Sequence, residues 1–188
     1  MKTVTYGALF AMFATGAFAS STEGMKTFLV EKVAPWASDP VLIEAIKAQN
    51  AKTGGMSLAD IEAQDQVWRG QIGSADTSLI DSVLNAPSSE YLRQQVEAAG
   101  GQITEVFIMD AQGLNVAASA VTSDYWQGDE AKFSETYGIG VDAMHFSEIE
   151  LDESTREYQA QLSMTLVDPA SGEAIGAMTV GVNAEAFE

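Results

Sequence analysis

Tyr125, Trp126 and Asp129 lie close together in the chain. Aromatic walls with one carboxylate suit a small ligand carrying an amine or hydroxyl, because pockets are mainly apolar with a few orienting polar groups. The same residues have a structural reading, with Asp124 capping a short helix, Asp129 capping the next turn and Trp126 in a core. Trp68 and Arg69 form a second candidate pair. An arginine with few basic neighbours could grip a ligand carboxylate with both arms, or pair with Asp129, Asp65 or Glu62. Trp68, at helical spacing, could be core or ligand wall. His145 is the only histidine, and its charge change near neutral pH would suit a pH sensor or a pocket contact. Tyr137, Tyr158 and Lys132 are secondary pocket candidates.

Catalytic readings have less to stand on. The chain has no cysteine, and a serine triad would need His145, yet no Gly-x-Ser-x-Gly elbow occurs. No phosphate-binding glycine loop or dinucleotide fingerprint follows a strand. With 27 acidic residues, any pair of carboxylates is uninformative as a glycosidase signature. One histidine and no cysteine exclude the usual zinc sets. Asp110 to Asn115 spaces oxygen ligands but lacks the alternating ligands and terminal Glu of a calcium loop. A turn explains it better: Asp110 bonds the turn backbone and Gly113 takes a positive φ. The expectation is a binding protein, not an enzyme, with no cofactor and no metal.

The elements that must position these residues change character near residue 100. Before it the pattern is helical. Met25, Phe28, Leu29 and Val33 share one face of a stretch from Thr22 to Ala34 that Pro35 should end. Asp39-Pro40 should start a helix over Val41 to Lys52, with Leu42, Ile43 and Ile46 inward. Ser57 and Asp60 form a near capping box ahead of a helix ending near Gly70. Shorter helices are expected over Ser78 to Leu84 and from Ser88 or Ser89 to Ala99, stopped by Gly100-Gly101.

From Ile103 the period becomes two. Ile103 to Met109, the Asp110-x-x-Gly113 turn and a returning strand make one hairpin, and Glu157 to Asn183 around Asp168 to Gly172 makes another. Tyr158, Ala160, Leu162, Met164 and Leu166 alternate with Gln159, Gln161, Ser163 and Thr165, so one face of that strand is apolar and the other carries hydroxyls and amides. A further strand is expected over Ala143 to Leu151, with a turn around Asp152-Glu153-Ser154, and loop plus short helix over Asp124 to Tyr137. Helices first and antiparallel strands after make an α+β domain.

Lys2, the apolar run Val4 to Phe18 and the small-x-small end Ala17-Phe18-Ala19 read as a secretory signal peptide cleaved after Ala19. The domain organisation is then a signal over residues 1–19, a helical segment over 20–100 and the sheet over 101–188, the last two forming one domain. An exported chain without cysteine must rest on its hydrophobic core. The net charge of −18, or −19 without Lys2, argues against nucleic acid and anionic lipid as partners.

The hairpin Val106 to Ala117, the stretch Thr122 to Phe133 with its Asp124-Tyr125-Trp126-Gln127-Gly128-Asp129 centre, and the closing hairpin to Val182 together resemble the extracytoplasmic PAS-like sensor domains called Cache domains, of the single-module type. The resemblance covers roughly Asp39 to Phe187. It implies a long N-terminal helix packed on a five-stranded antiparallel sheet, with a ligand pocket between the sheet and the Asp124 to Tyr137 segment. It also implies amino acids, short carboxylates or amines as ligands, for which the residues themselves offer Tyr125, Trp126 and Asp129 as first contacts and Arg69 as anion clamp. Family members usually continue into a transmembrane signalling module, whereas this sequence ends at Glu188, so a separate membrane-bound partner is expected to receive the message. The competing reading is an interaction module with a vestigial pocket, in which Met25, Phe28, Leu29 and Val33 pair in a homodimer or dock on a membrane receptor.

Overall fold

The computed structural model describes residues 15–152 and 157–187, with side chains from Thr22 onward apart from Asp152. Most of the expected signal segment, and Glu153-Ser154 of the expected turn, lie outside the described residues.

Helix α1 (Thr15–Phe28) widens into a π-helical turn (Leu29–Val33) before the short α2 (Ala34–Ala37). The expectation that Pro35 ends the helix is therefore corrected. The wide turn sets Pro35 in the first turn of α2, where its missing N–H costs no helical hydrogen bond. Met25, Phe28, Leu29 and Val33 all face the domain's own core and are buried. That burial takes these four side chains out of the contact expected in the alternative reading, since they are not presented for a dimer or a receptor.

Local chemistry accounts for the next helices. Asp39 accepts the Val41 N–H at 2.9 Å ahead of α3 (Pro40–Thr53), with Pro40 at the first helical position. Ser57 and Asp60 close a reciprocal capping box on α4 (Leu58–Gln71), although Asp is shorter than the usual Glu or Gln. Helices α5 (Ser78–Leu84) and α6 (Pro87–Ala98) follow, and Gly100 and Gly101 turn the chain out of α6 with φ of 58° and 92°.

The strands are β1 (Ile103–Met109), β2 (Asn115–Ala118), β3 (Met144–Phe146), β4 (Glu150–Asp152), β5 (Glu157–Val167) and β6 (Ala174–Asn183), with α7 (Ala131–Ser134) between β2 and β3. All pairings are antiparallel in the order β2-β1-β6-β5-β3, and β4 also pairs β5. Strands β3 and β4 pair successive stretches of β5, so six strands occupy five positions. The strand expected over Ala143 to Leu151 is thus broken in two. The architecture is α+β, with N-terminal helices on an antiparallel PAS-like sheet.

Period-two alternation sorts the sheet's side chains. Val106, Ile108, Ala160, Leu162, Leu166, Met178, Val180 and Val182 face α1, α3 and α6 in the main core. Each large aliphatic removed from water there contributes about 1.5–3 kcal/mol before chain entropy is counted. A second, small core joins Ile61 and Trp68 of α4, Ile80 and Val83 of α5, Leu114 and Tyr125. Helix α3 pins both hairpins to the helical layer. The buried Asp110 carboxylate accepts Thr53 Oγ1 at 2.7 Å and Gln49 Nε2 at 3.1 Å, and Lys47 pairs with Asp168.

Candidate functional site

The candidate residues fall into two groups. The first is built around Asp65 of α4. Its Oδ1 accepts the backbone N–H groups of Tyr125 at 2.9 Å and Trp126 at 3.1 Å, while Oδ2 holds Arg69 Nε at 2.7 Å. Arg69 reaches Asp124 at 3.5 Å, and Asp65 first, then Asp124, hold the guanidinium in its charged form by raising its pKa. Trp68 is fully buried, stacks on Tyr125 with ring centroids 5.3 Å apart, and donates its indole N–H to Thr122 O at 2.9 Å. Burial, with a smaller contribution from the Asp110 charge, pushes the Tyr125 phenol up to about 12.

Trp126 closes over the β1–β2 turn. Its indole N–H donates to Gln112 O at 2.9 Å, and Leu114 and Trp126 form an antiparallel bridge. Two glycines permit this approach. Gly113 has φ of 82°, and a Cβ there would stand 2.5 Å from Gly128 Cα, while a Cβ on Gly128 would stand 2.3 Å from Trp126 Nε1. Tyr125, Trp126, Trp68 and Arg69 are thus fastened to one another and to α4. Asp129 is exposed beside them.

The second group lies over the other sheet face. Helix α7 lies against β5 and β6 and also touches β3. Phe133 stacks on Tyr137 at 5.2 Å, and both pack on Phe107, Met109, Ala118 and Ala177. Lys132 points its ammonium over the Phe107 ring, 5.4 Å from its centroid. His145 of β3 meets Glu135 with Nδ1 2.9 Å from the carboxylate. Thr165 Oγ1 donates to Gly140 O at 2.6 Å, tying the end of this segment to β5.

Beside α7 a cleft of about 420 Å³ opens between the sheet and the covering segment. Glu105, Gln159, Ala160 and Gln161 line it from the sheet, Glu130 and Lys132 from the α7 side, and Ser147, Glu148, Glu150 and Leu151 from the β3–β4 stretch. Deeper in the same face, Ser163 and Thr179 are fully buried and share a hydrogen bond of 2.9 Å between their hydroxyls. The structure brings Lys132 and Tyr137 to this face and sets His145 at its β3 edge, while the Trp68–Arg69–Tyr125–Trp126 group stands by the β2 edge. Sequence reasoning missed Glu105 and Gln161, which line this cleft, and Phe107 beneath Lys132. The signal was in hand for Gln161, because the amide- and hydroxyl-bearing face of β5 is legible from alternation. Among the described residues no group of three or more His, Asp or Glu side chains is placed to hold a metal ion, and no helix is long and apolar enough to cross a membrane.

No family model matches the sequence, and no curated protein matches it. Solved structures do. The sensor domain of the V. cholerae histidine kinase DctB aligns with a TM-score of 0.50 at 13% identity, over 90% of this chain and 54% of that one. The chain thus spans about half the length of that domain. Two further likenesses are weaker. They are the ligand-binding domain of the Pseudomonas aeruginosa PAO1 amino acid chemoreceptor PctC in complex with GABA (TM-score 0.42, 14% identity, 87% of this chain and 62% of that one) and that of the Campylobacter jejuni chemoreceptor Tlp3 in complex with L-valine (0.42, 11%, 93% and 66%). At such identities the likeness is one of fold. The chain has the α+β, PAS-like fold of the Cache-type sensor domains.

Proposed function

We propose that this protein is an exported sensor that reversibly captures a small polar molecule and presents the result to a membrane-bound signalling partner. The observation that carries the reading is the open cleft between the polar sheet face and the α7 segment. An antiparallel sheet commonly leaves one face to water, and in this chain α7 covers that face without filling it. Here two glutamines, four glutamates and a lysine line space of small-molecule size. Export rests on the signal-like N-terminus, and the partner on the sensor fold.

In this reading Lys132 lines the ligand's cleft, while Tyr137 and His145 stand on the same face outside its lining. Trp68, Arg69, Tyr125 and Trp126 act one step back, because their bonds to Asp65 and Gln112 set where the chain enters the covering segment. Asp129 lies where the two groups meet and is exposed to a ligand entering from the β2 side. Ligand capture would shift α7, and the β5 and β6 strands beneath it would pass the change to the helical layer through the Lys47–Asp168 contact.

The test is thermal unfolding of the protein against amino acids, amines and carboxylates. A ligand that binds only the folded state raises the melting temperature by about 2.7 kcal/mol worth of stabilisation at a hundredfold excess over Kd. The expected hit loses its shift in a folded Gln161→Ala variant. A shift unaffected by Gln161→Ala but abolished by Trp126→Ala would move the site to the β2 edge, and no shift with any compound would remove the sensor reading.

A further inference from the structure

Lys132 is unusually well held for a lysine beside open solvent. Its side chain is 14% exposed, its ammonium lies 3.0 Å from Glu130 Oε2 and 3.2 Å from Gln127 Oε1, and the Phe107 ring stands beneath it. Gln127 is itself 2% exposed, and its amide nitrogen donates to Asp124 O at 3.0 Å, which leaves the oxygen turned to the ammonium. Ordering a lysine side chain costs rotamer entropy, so a free choice would send it into water. An aromatic face, a carboxylate and a buried carbonyl together hold it in. These are the three groups that recognise a primary ammonium.

The surrounding charge agrees. The cleft beside this cage is lined by four carboxylates, Glu105, Glu130, Glu148 and Glu150, and among its described residues Lys132 is the one cation. A carboxylate ligand using Lys132 as its anchor would have to displace Glu130 and settle beside Glu148 and Glu150. An ammonium ligand meets no such repulsion.

Resting on the capture reading above, we infer that the cleft is a primary-amine site whose ammonium cage is occupied in this structure by the protein's own Lys132. The lysine is a tethered stand-in for the ligand. An incoming amine takes its place on Phe107, Glu130 and Gln127, and its tail lies along Gln161 and Glu105. Expulsion of Lys132 loosens α7 from the sheet, which couples occupancy to movement of the covering segment.

The test empties the cage. In Lys132→Ala the three cage groups remain, and n-butylammonium replaces both the missing ammonium and its alkyl stem. By calorimetry the variant should bind n-butylammonium about tenfold or more tightly than the wild type does, while butyrate binds neither. A folded Lys132→Ala protein with no preference over wild type for n-butylammonium overturns the inference. Should that variant not fold, lysine methylene NMR of the wild type decides. The Lys132 Cε protons, shifted by the Phe107 ring, should move to exposed-lysine positions with n-butylammonium and stay put with butyrate, and resonances that stay put with both overturn the inference. A library compound that binds the wild type and needs Gln161, alongside an indifferent Lys132→Ala variant, would leave the capture reading standing and remove only the amine class.

Discussion

The two faces of the sheet are built from the same strands and closed by different means. Leu162 and Ser163 are neighbours in β5, and both are completely buried. Leu162 pairs across the strands with Val180 and lies under the helical layer, whereas Ser163 pairs with Thr179 and lies on the α7 face. The first is covered by long helices whose apolar sides interlock with the sheet. The second is covered by a four-residue helix and its flanking loops. A cover with few helical hydrogen bonds opens at far lower cost than a packed helix. Burial alone therefore does not distinguish the two faces; what does the burying does.

Substitution at the two adjacent positions gives the most direct break of that comparison. Leu162→Ala leaves a cavity between sheet and helices and should destabilise the protein by about 2–5 kcal/mol. Ser163→Ala removes one hydroxyl pair and should cost about 1 kcal/mol, while altering the response of α7 to a ligand. Urea unfolding measures both. Equal losses at the two sites would mean that the α7 face is as tightly closed as the helical one, and the capture reading would lose its physical basis.

How much of this arrangement the sequence disclosed follows the range of each interaction. Local signals were readable: the Asp39-Pro40 start of α3, the Ser57–Asp60 box, Gly100-Gly101, and the Asp110 and Asp168 turns. The alternation along β5 assigned its two faces before any partner strand was known. Pro35 was misread, because a proline's effect depends on whether the preceding turn is α or π, and that was decided by the packing of Leu29 and Val33. The cage around Lys132 was out of reach for another reason. Gln127, Glu130 and Lys132 are near in sequence, but Phe107 comes from β1, and Glu105 and Gln161 of the adjoining cleft are brought together only by strand pairing. Trp126 looked like a ligand wall because aromatic type is visible in sequence, whereas its hydrogen bond to the Gln112 carbonyl is not.

The small core beside α4 and α5 is expected to behave like the helical face, and Tyr125 reports on it. Its phenol is pushed up to about 12 from an ordinary 10.0. Below about pH 10 both folded and unfolded states keep the proton, and stability is unaffected. Between about pH 10 and 12 the unfolded chain ionises first, so stability falls by on the order of 2–3 kcal/mol across that window. Absorbance titration should show one phenol ionising last, or only as the protein unfolds, and that step should vanish in Tyr125→Phe. Were all tyrosines to titrate together near 10, the cluster would be open to water, and it would belong with the mobile face rather than the rigid one.

The smallest expected effect lies where the helical layer grips the closing hairpin. The Lys47 ammonium, followed by the Ala170 N–H, holds the Asp168 carboxyl below its ordinary range. A depressed carboxyl contributes its stability above the unfolded value near 4, and that contribution disappears as pH falls through the lower folded value. Lys47 is half exposed, with 51% of its side chain in solvent, so screening keeps the effect small. Lys47→Met should bring the melting temperature down slightly at neutral pH and hardly at all in acid, so the two melting curves converge as pH drops below about 4. The same variant separates a fastening from a lever. If Asp168 only fastens the hairpin, ligand affinity is unchanged in Lys47→Met. If movement beneath α7 is passed on to α3 through this contact, affinity changes while the sheet face that binds the ligand keeps every one of its own side chains.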